Sequence, residues 1–251
     1  DGTTQAKIAY GDGPSDQSVA ASTVFGGNTD LVGGWLLNES SGDALDVSGN
    51  NNDGSVTGAT QGEAGLVDGA YSFDGNDDNV DLGDKSVFQT FPLTYFVWFK
   101  TNTIDTQSIL EKYATSASPG GGLIVQSDGT IAWNAMNPDT EKGCYQQECA
   151  GGSISTDTWH LAIGAWSGND GDPLRVYLDA TEVDSESYAY SSIDSSESLA
   201  IGMCGNLVHS PFDGLIDNVF VFNSVLSSDE ITALYDATKS SPELFDQELG
   251  S

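Results

Sequence analysis

Basic residues are scarce in this sequence. Only 7 of its 251 residues are Lys or Arg, against 38 Asp and Glu, which gives a formal net charge of −31. So negative a surface repels nucleic acid and anionic membranes, and we expect neither as a partner. The acids are spread along the chain, which favours a surface adapted to high salt over a disordered acidic tail. An acidic secreted protein whose carboxylates bind calcium is the alternative.

Long apolar runs and the common catalytic signatures are also missing. No apolar run reaches 18 residues, so we expect this chain not to insert into a membrane. The first residue is not Met, as in a processed or truncated product. Neither Gly-x-Ser-x-Gly nor a glycine-rich phosphate loop between a strand and a helix is present. Of the two histidines, His160 is expected to be a hydrogen-bonded core residue and His209 a surface residue.

The remaining composition is typical of short strands joined by many turns. The chain has 30 glycines and 38% hydrophobic residues, with few helical patterns. The segment 212–222 alternates like a strand. Its pattern predicts one face with Ile216, Asn218, Phe220 and Phe222, and another with Asp217, Val219 and Val221.

A short helix is predicted directly after that strand. Ser227 and Glu230 have the spacing of a capping box, and Leu226 can pack on Ile231 as a hydrophobic staple. The apolar stripe that follows is long enough for about two turns.

Seven segments, in this order, resemble laminin-G-like (concanavalin A-like) jelly-roll domains. They are 35–37 with 46–50, 70–75, 93–100, 159–162, 174–179, 199–202 and 212–235. The resemblance implies an all-β fold, an antiparallel two-sheet jelly-roll sandwich with one short C-terminal helix. It covers residues 31–238, between an N-terminal stalk, strand or linker at 1–30 and a C-terminal tail at 239–251.

One polar loop is a candidate calcium site. Asp46, Asn50, Asn52 and Asp53 supply oxygen ligands within eight positions. The resemblance implies a structural Ca²⁺ near such a loop, with Asp217 as a further ligand. Hydrogen-bonded turns are the alternative explanation for these residues. Whether 74–78 holds a cation instead is open.

Cysteines and loop aromatics supply further candidates. Cys144 and Cys149 flank four residues of a polar loop, and we predict a disulfide between them, with two separate buried thiols as the alternative. Trp133, Tyr113 and Tyr145 are candidate glycan-binding residues because exposed aromatic rings stack on sugars. Packing at the sandwich edge is the alternative for all three.

Glu182, Asp184 and Glu186 form a Glu-x-Asp-x-Glu pattern. On a regular strand they share one face, as in the laminarinase-type glycoside hydrolases that this spacing resembles. The flanking residues lack the aromatics of a sugar cleft, which favours a solvated acidic strand.

These observations predict a non-catalytic, extracellular adhesion or glycan-binding module. We expect it on a halophilic cell-surface structure such as a pilus, or on a virion, with surface glycans or neighbouring subunits as partners. A purely structural assembly subunit is the first alternative, and a glycoside hydrolase is the second.

Overall fold

The computed structural model describes residues 30–112, 120–136, 148–169, 171–187, 196–204 and 210–239. Fifteen strands and one α-helix lie in these ranges. The first eight strands in chain order are β1 Leu31–Trp35, β2 Ser55–Thr57, β3 Thr60–Ala64, β4 Gly69–Asp74, β5 Asn79–Asp81, β6 Leu93–Thr101, β7 Gln107–Lys112 and β8 Gly120–Val125. The others are β9 Ile131–Met136, β10 Glu148–Gly151, β11 His160–Trp166, β12 Pro173–Leu178, β13 Thr181–Ser187, β14 Ala200–Ile201 and β15 Asp213–Phe222.

The strands form two antiparallel sheets. The eight-stranded sheet has the order β13-β12-β11-β6-β15-β4-β3, with β1 also paired to β15. The seven-stranded sheet has the order β10-β9-β8-β7-β14-β5-β2. Buried side chains from both sheets form the main core. The predicted jelly-roll sandwich is therefore confirmed.

Close packing between the sheets depends on small residues at particular positions. A Cβ on Gly164 of β11 would lie 1.3 Å from Cε3 of Trp133, so only glycine lets this indole pack there. Trp133 is fully buried, with its ring 4.9 Å from that of Tyr95.

The helix α1, Ser228–Lys239, covers part of the outer face of the eight-stranded sheet. Tyr235 stacks on Trp98 of β6 with ring centroids 5.4 Å apart, and the indole Nε1–H of Trp98 donates to Thr238 Oγ1. The capping box is confirmed, because the Ser227 N–H and hydroxyl contact Glu230 Oε2 at 2.8 and 2.7 Å. The helix runs for 12 residues, longer than the predicted two turns.

A bulge in β15 corrects the predicted pattern of 212–222. The register shifts between Asp217 and Val219, where Asn218 has a φ of 47°. The bulge places Ile216 on the core face with Val219 and Val221. Asp217 consequently faces outward, opposite Trp98. A period of two cannot reveal an inserted residue.

His160 is a hydrogen-bonded core residue, as predicted. The Ser155 N–H donates to its Nε2 at 3.1 Å, so Nδ1 carries the proton and donates to Asp179 Oδ2 at 2.9 Å. His209 lies outside the described residues. Among the residues that are described, no helix is long and apolar enough to cross a membrane. The domain limits at 30 and 239 stay predictions.

Candidate functional site

The predicted calcium loop is organised around the carboxylate of Asp46. Oδ1 accepts hydrogen bonds from the N–H groups of Gly34 and Ser48, at 3.0 and 2.9 Å. Oδ2 accepts from the Ser48 hydroxyl and the Asn52 N–H, both at 2.8 Å. The loop is therefore closed by one carboxylate that binds four protein donors.

The other predicted ligands of this loop are also engaged. Asp53 Oδ1 accepts the Asp46 N–H at 2.8 Å. The amide nitrogens of Asn50 and Asn52 donate to the Val32 carbonyl at 3.3 and 2.6 Å. Because donors surround both carboxylate oxygens of Asp46, a cation at this carboxylate would face N–H and O–H dipoles rather than converging lone pairs. The Asp46 carboxylate as arranged does not fit a calcium ion, and calcium binding in this loop stays a prediction for experiment.

Asp217 lies against a different segment. Its Oδ2 accepts the N–H groups of Leu66 and Val67 at 2.8 and 3.1 Å, and its Oδ1 accepts the Asn218 amide at 2.6 Å. Burial raises the pKa of Asp217 to about 8, while the hydrogen bonds from Val67, Leu66 and Asn218 act in the opposite direction. The side chain is fully buried and anchors the turn before β4 to β15.

A second acidic group lies on the β4–β5 hairpin. Carboxylate oxygens of Asp74, Asp77 and Asp78 all lie within 4.8 Å of one another. Burial, together with the charges of Asp74 and Asp77, raises the pKa of Asp78, while a hydrogen bond from the Asp74 N–H lowers it. The sequence left this hairpin open as a cation site. The cluster alone does not establish one, because acidic groups on hairpins also occur without a metal.

The Glu-x-Asp-x-Glu pattern does not present three carboxylates on one face. A register shift between Val176 and Tyr177 places Glu182 opposite Tyr177, whose ring belongs to the outer cluster. Asp184 instead lies opposite Val176, a core residue, and accepts the Ala150 N–H at 3.0 Å. This arrangement removes the geometric basis of the comparison with laminarinase-type hydrolases.

The structure does not support the predicted disulfide. Cys149 is a free, fully buried thiol on β10, and its side chain belongs to the main core. Burial, with the charge of Asp184, raises the pKa of Cys149 to about 12. Cys144, its predicted partner, lies outside the described residues.

The predicted glycan-binding aromatics are not on the described surface. The structure corrects the prediction for Trp133, which is buried between the sheets because its position on β9 faces inward. Tyr113 and Tyr145 lie outside the described residues. Trp133 thus packs in the core itself, and not only at the sandwich edge as in the alternative explanation.

A partly exposed tryptophan lies instead at one end of the eight-stranded sheet. Trp159 immediately precedes β11 and comes opposite Lys100, since His160 pairs with Phe99. The other four tryptophans of the chain are at most 2% exposed. Trp159 is therefore the indole available to a ligand at the surface.

Strand pairing extends the pair Trp159 and Lys100 into a line of residues that crosses the sheet. Lys100 pairs with Leu215, Leu215 with Ser72, and Ser72 with Thr60. Paired residues point to the same face, so we name this line, from Trp159 to Thr60, the Trp159 row. Its first four members are partly exposed and Thr60 is exposed, whereas Trp98, on the neighbouring line of residues, is buried under Tyr235 of α1. Five strands spaced ~4.8 Å apart give the row a length of about 19 Å.

Lys100 is the charged group of the Trp159 row. Its Nζ lies 5.4 Å from the centroid of the Trp159 ring. Among the described residues, no carboxylate lies within ion-pair distance of Lys100, whereas Lys112 contacts Asp84 and Arg175 contacts Glu182. The row thus combines an aromatic face, a cation and hydroxyl groups, which can together bind a polar ring compound.

Sequence reasoning missed these residues. Trp159 was visible only as part of a fold motif, and Lys100 only as the end of an apolar strand. A usable signal was present, because a lysine that follows the apolar run 95–99 in a chain with seven basic residues is unexpected.

A buried polar pair lies on the outer face of the other sheet. A register shift in β7 between Ser108 and Leu110 brings Ser108 and Glu111 together, and the Ser108 hydroxyl donates to Glu111 Oε2 at 2.5 Å. Glu111 lies opposite Gly122 and Ala200 and is only 4% exposed. Burial raises the pKa of Glu111 to about 7, against the opposite effect of the Ser108 hydrogen bond.

Solved structures similar to this fold include domains of larger proteins. Domain 4 of AbnA, an extracellular GH43 arabinanase from Geobacillus stearothermophilus solved with arabinotriose, has a TM-score of 0.64 and 20% identity, over 82% of this chain and 98% of that one. The binding domain of Paraclostridial Mosquitocidal Protein 1 has a TM-score of 0.65 and 15% identity, over 83% of this chain and 52% of that one. The CBM40 of a Ruminococcus gnavus IT-sialidase, solved with α2,3-sialyllactose, has a TM-score of 0.55 and 16% identity, over 66% and 96%. At these identities the likeness shows the fold.

The sequence comparisons agree with the fold. No curated protein matches the chain in sequence. A family model described as the concanavalin A-like lectin/glucanases superfamily matches residues 74–232, which is more than half of the chain. The chain belongs to the concanavalin A-like lectin/glucanases superfamily.

Proposed function

We propose that this protein is a non-catalytic carbohydrate-binding module that works outside the cell. The observation that carries the proposal is the Trp159 row, where Lys100 lies over the partly exposed indole and the hydroxyl residues Ser72 and Thr60 continue the row across the sheet, roughly 14 and 19 Å from Trp159. A flat aromatic face with polar groups beside it suits a sugar ring, which has apolar C–H surfaces and equatorial hydroxyls.

The comparisons support this reading. Two similar structures are domains solved with oligosaccharides, arabinotriose in one and sialyllactose in the other. The third is the binding domain of a mosquitocidal protein. Because one fold hosts many functions, the proposal depends on the row and not on the fold.

The acidic composition supports a location exposed to high salt. With a net charge of −31, the folded chain repels itself at low ionic strength, and salt shortens the range of that repulsion. We therefore place the module on the surface of a halophilic cell, on a pilus-like structure, or on a virion. Neighbouring subunits of such an assembly are further partners in this proposal.

Binding is tested by titrating arabinotriose, lactose and sialyllactose into the protein at high salt and measuring heat. Trp159→Ala should weaken binding at least roughly tenfold, and Trp159→Phe should retain most of it. Ile104→Ala is the matched control, because Ile104 is also apolar and is 39% exposed, but lies outside the row. Binding that is equal in the wild type and Trp159→Ala would remove the row from the site. Absence of binding for a broad glycan panel would contradict the function itself.

A further inference from the structure

Lys100 supplies the positive charge of the Trp159 row in a chain with only 7 basic residues for 38 acids. Among the described residues, Lys85, Lys100 and Lys239 each lie over an aromatic ring with no carboxylate within ion-pair distance. Of these three lysines, Lys100 is the one in the Trp159 row. Its Nζ is 5.4 Å from the centroid of the Trp159 ring, at the edge of an open sheet face. The cation therefore has its charge available to a ligand.

Two carboxylates that lie on or directly after strands of the same sheet, Asp179 and Asp213, are hydrogen-bonded within the protein. Asp179 accepts the Leu161 N–H at 2.9 Å through Oδ1 and contacts His160 Nδ1 at 2.9 Å through Oδ2. Its pKa is lowered by the His160 and Leu161 hydrogen bonds, although burial acts in the opposite direction. Asp213 similarly accepts the Asn102 amide at 2.8 Å. These hydrogen bonds direct both carboxylates toward protein donors rather than toward Lys100.

We propose that the Trp159 row binds a sugar residue that carries a carboxylate, of the uronic or sialic acid class, with that carboxylate at Lys100. The indole provides the face for the sugar ring, and the ammonium group provides a charge-assisted hydrogen bond. Because the lysine side chain has four flexible carbons, its ammonium group can move from the Trp159 ring to the carboxylate of the ligand. The same movement uncovers the face of the ring for the sugar. This inference rests on the proposed function, because it names the ligand class of the same row.

The rest of the protein opposes this ligand at long range. A net charge of −31 repels an anionic sugar, and this repulsion acts over distances at which salt screens strongly. At molar salt the Debye length is ~3 Å, so the direct contact with Lys100 persists better than the repulsion by distant acids. We therefore expect the preference for an acidic sugar to be larger at high salt than at low salt.

The experiment compares acidic and neutral probes in calorimetric titrations at high salt. The acidic probes are sialyllactose and trigalacturonate, and the neutral probes are lactose and arabinotriose. We expect at least one acidic probe to bind roughly tenfold tighter than the neutral ones. Lys100→Gln should remove that difference without weakening the neutral probes, and Lys100→Arg should preserve it.

Lys85→Gln is the matched control, because Lys85 also lies over an aromatic ring, 5.9 Å from the centroid of Phe88, but outside the row. Melting curves of each variant confirm that it is folded. Neutral probes that bind through Trp159 as tightly as the acidic ones, or an acidic preference that survives Lys100→Gln, would overturn this inference and leave the proposed function intact. Failure of all four probes and of a broader glycan panel would instead contradict the proposed function. Selective binding of only one acidic probe identifies which of the two sugar acids is the ligand.

Discussion

The buried carboxyl group of Glu111 should make the protein less stable as the pH rises. Burial raises its pKa from 4.5 to about 7 in the folded protein. A folded-state pKa above the unfolded value means that the folded protein binds the proton more tightly, so this contribution to stability is present at low pH and is lost as the pH rises through about 7. At 1.36 kcal/mol per pKa unit, the loss is on the order of 3 kcal/mol above that pH.

Glu111→Gln removes this titration while keeping the size of the side chain and a hydrogen-bonding partner for Ser108. At pH about 8 the variant should be more stable than the wild type by up to ~3 kcal/mol, and near pH 4.5 the difference should be small. Urea unfolding across this pH range, at one fixed high ionic strength, measures both values.

Glu186→Gln is the control, since Glu186 is an exposed glutamate on β13. It removes the same charge from the chain, so general relief of repulsion affects both variants. Equal pH profiles for the two variants would show that Glu111 does not titrate in this range and would refute the reasoning from burial.

Three further results are expected. Asp84→Ala should destabilise the fold by roughly 1–3 kcal/mol in thermal unfolding, because the buried ammonium of Lys112 loses its half-exposed carboxylate but keeps the Glu197 carbonyl as an acceptor. An unchanged melting temperature would contradict a structural role for this ion pair. Asp46→Ala should lower the melting temperature because the loop loses four hydrogen bonds, and the decrease should be the same with and without a chelator at constant ionic strength. If a chelator lowers the melting temperature of the wild type but not that of the variant, the calcium site predicted from the sequence is established. The melting temperature of the wild type should rise steeply between dilute buffer and molar KCl, and a flat profile would contradict adaptation to high salt.

Local sequence patterns were sufficient for the elements of this fold. The helix start follows from Ser227 and Glu230, because a capping box uses contacts within one turn of the chain. The central strand β6 is predicted by apolar residues on both of its faces, which require cover on both sides. Seven ordered motifs then predicted an antiparallel two-sheet sandwich, which the structure confirms.

The candidate site could be predicted only in part. Asp46 was recognised as the centre of a polar loop, but the sequence cannot show whether its oxygens face a cation or backbone N–H groups. Asp217 was assigned to the same region, yet its donors come from residues 66 and 67, about 150 positions earlier in the chain. Trp133 looked like a loop-edge aromatic, although the absence of a side chain at Gly164 lets it pack in the core.

Composition by itself determined the acidic surface, the shortage of cations and the β-rich class, because these depend on which residues are present and on their local periodicity. Only the tertiary structure determined on which face of a strand each side chain lies and which residues from distant segments contact each other. Bulges after Ser108, at Asn218 and beside Val183 change which side chains share a face, and each is an inserted residue that a period of two cannot reveal. Lys100 likewise meets Trp159 only because β6 and β11, some 60 residues apart in the chain, are adjacent strands of one sheet.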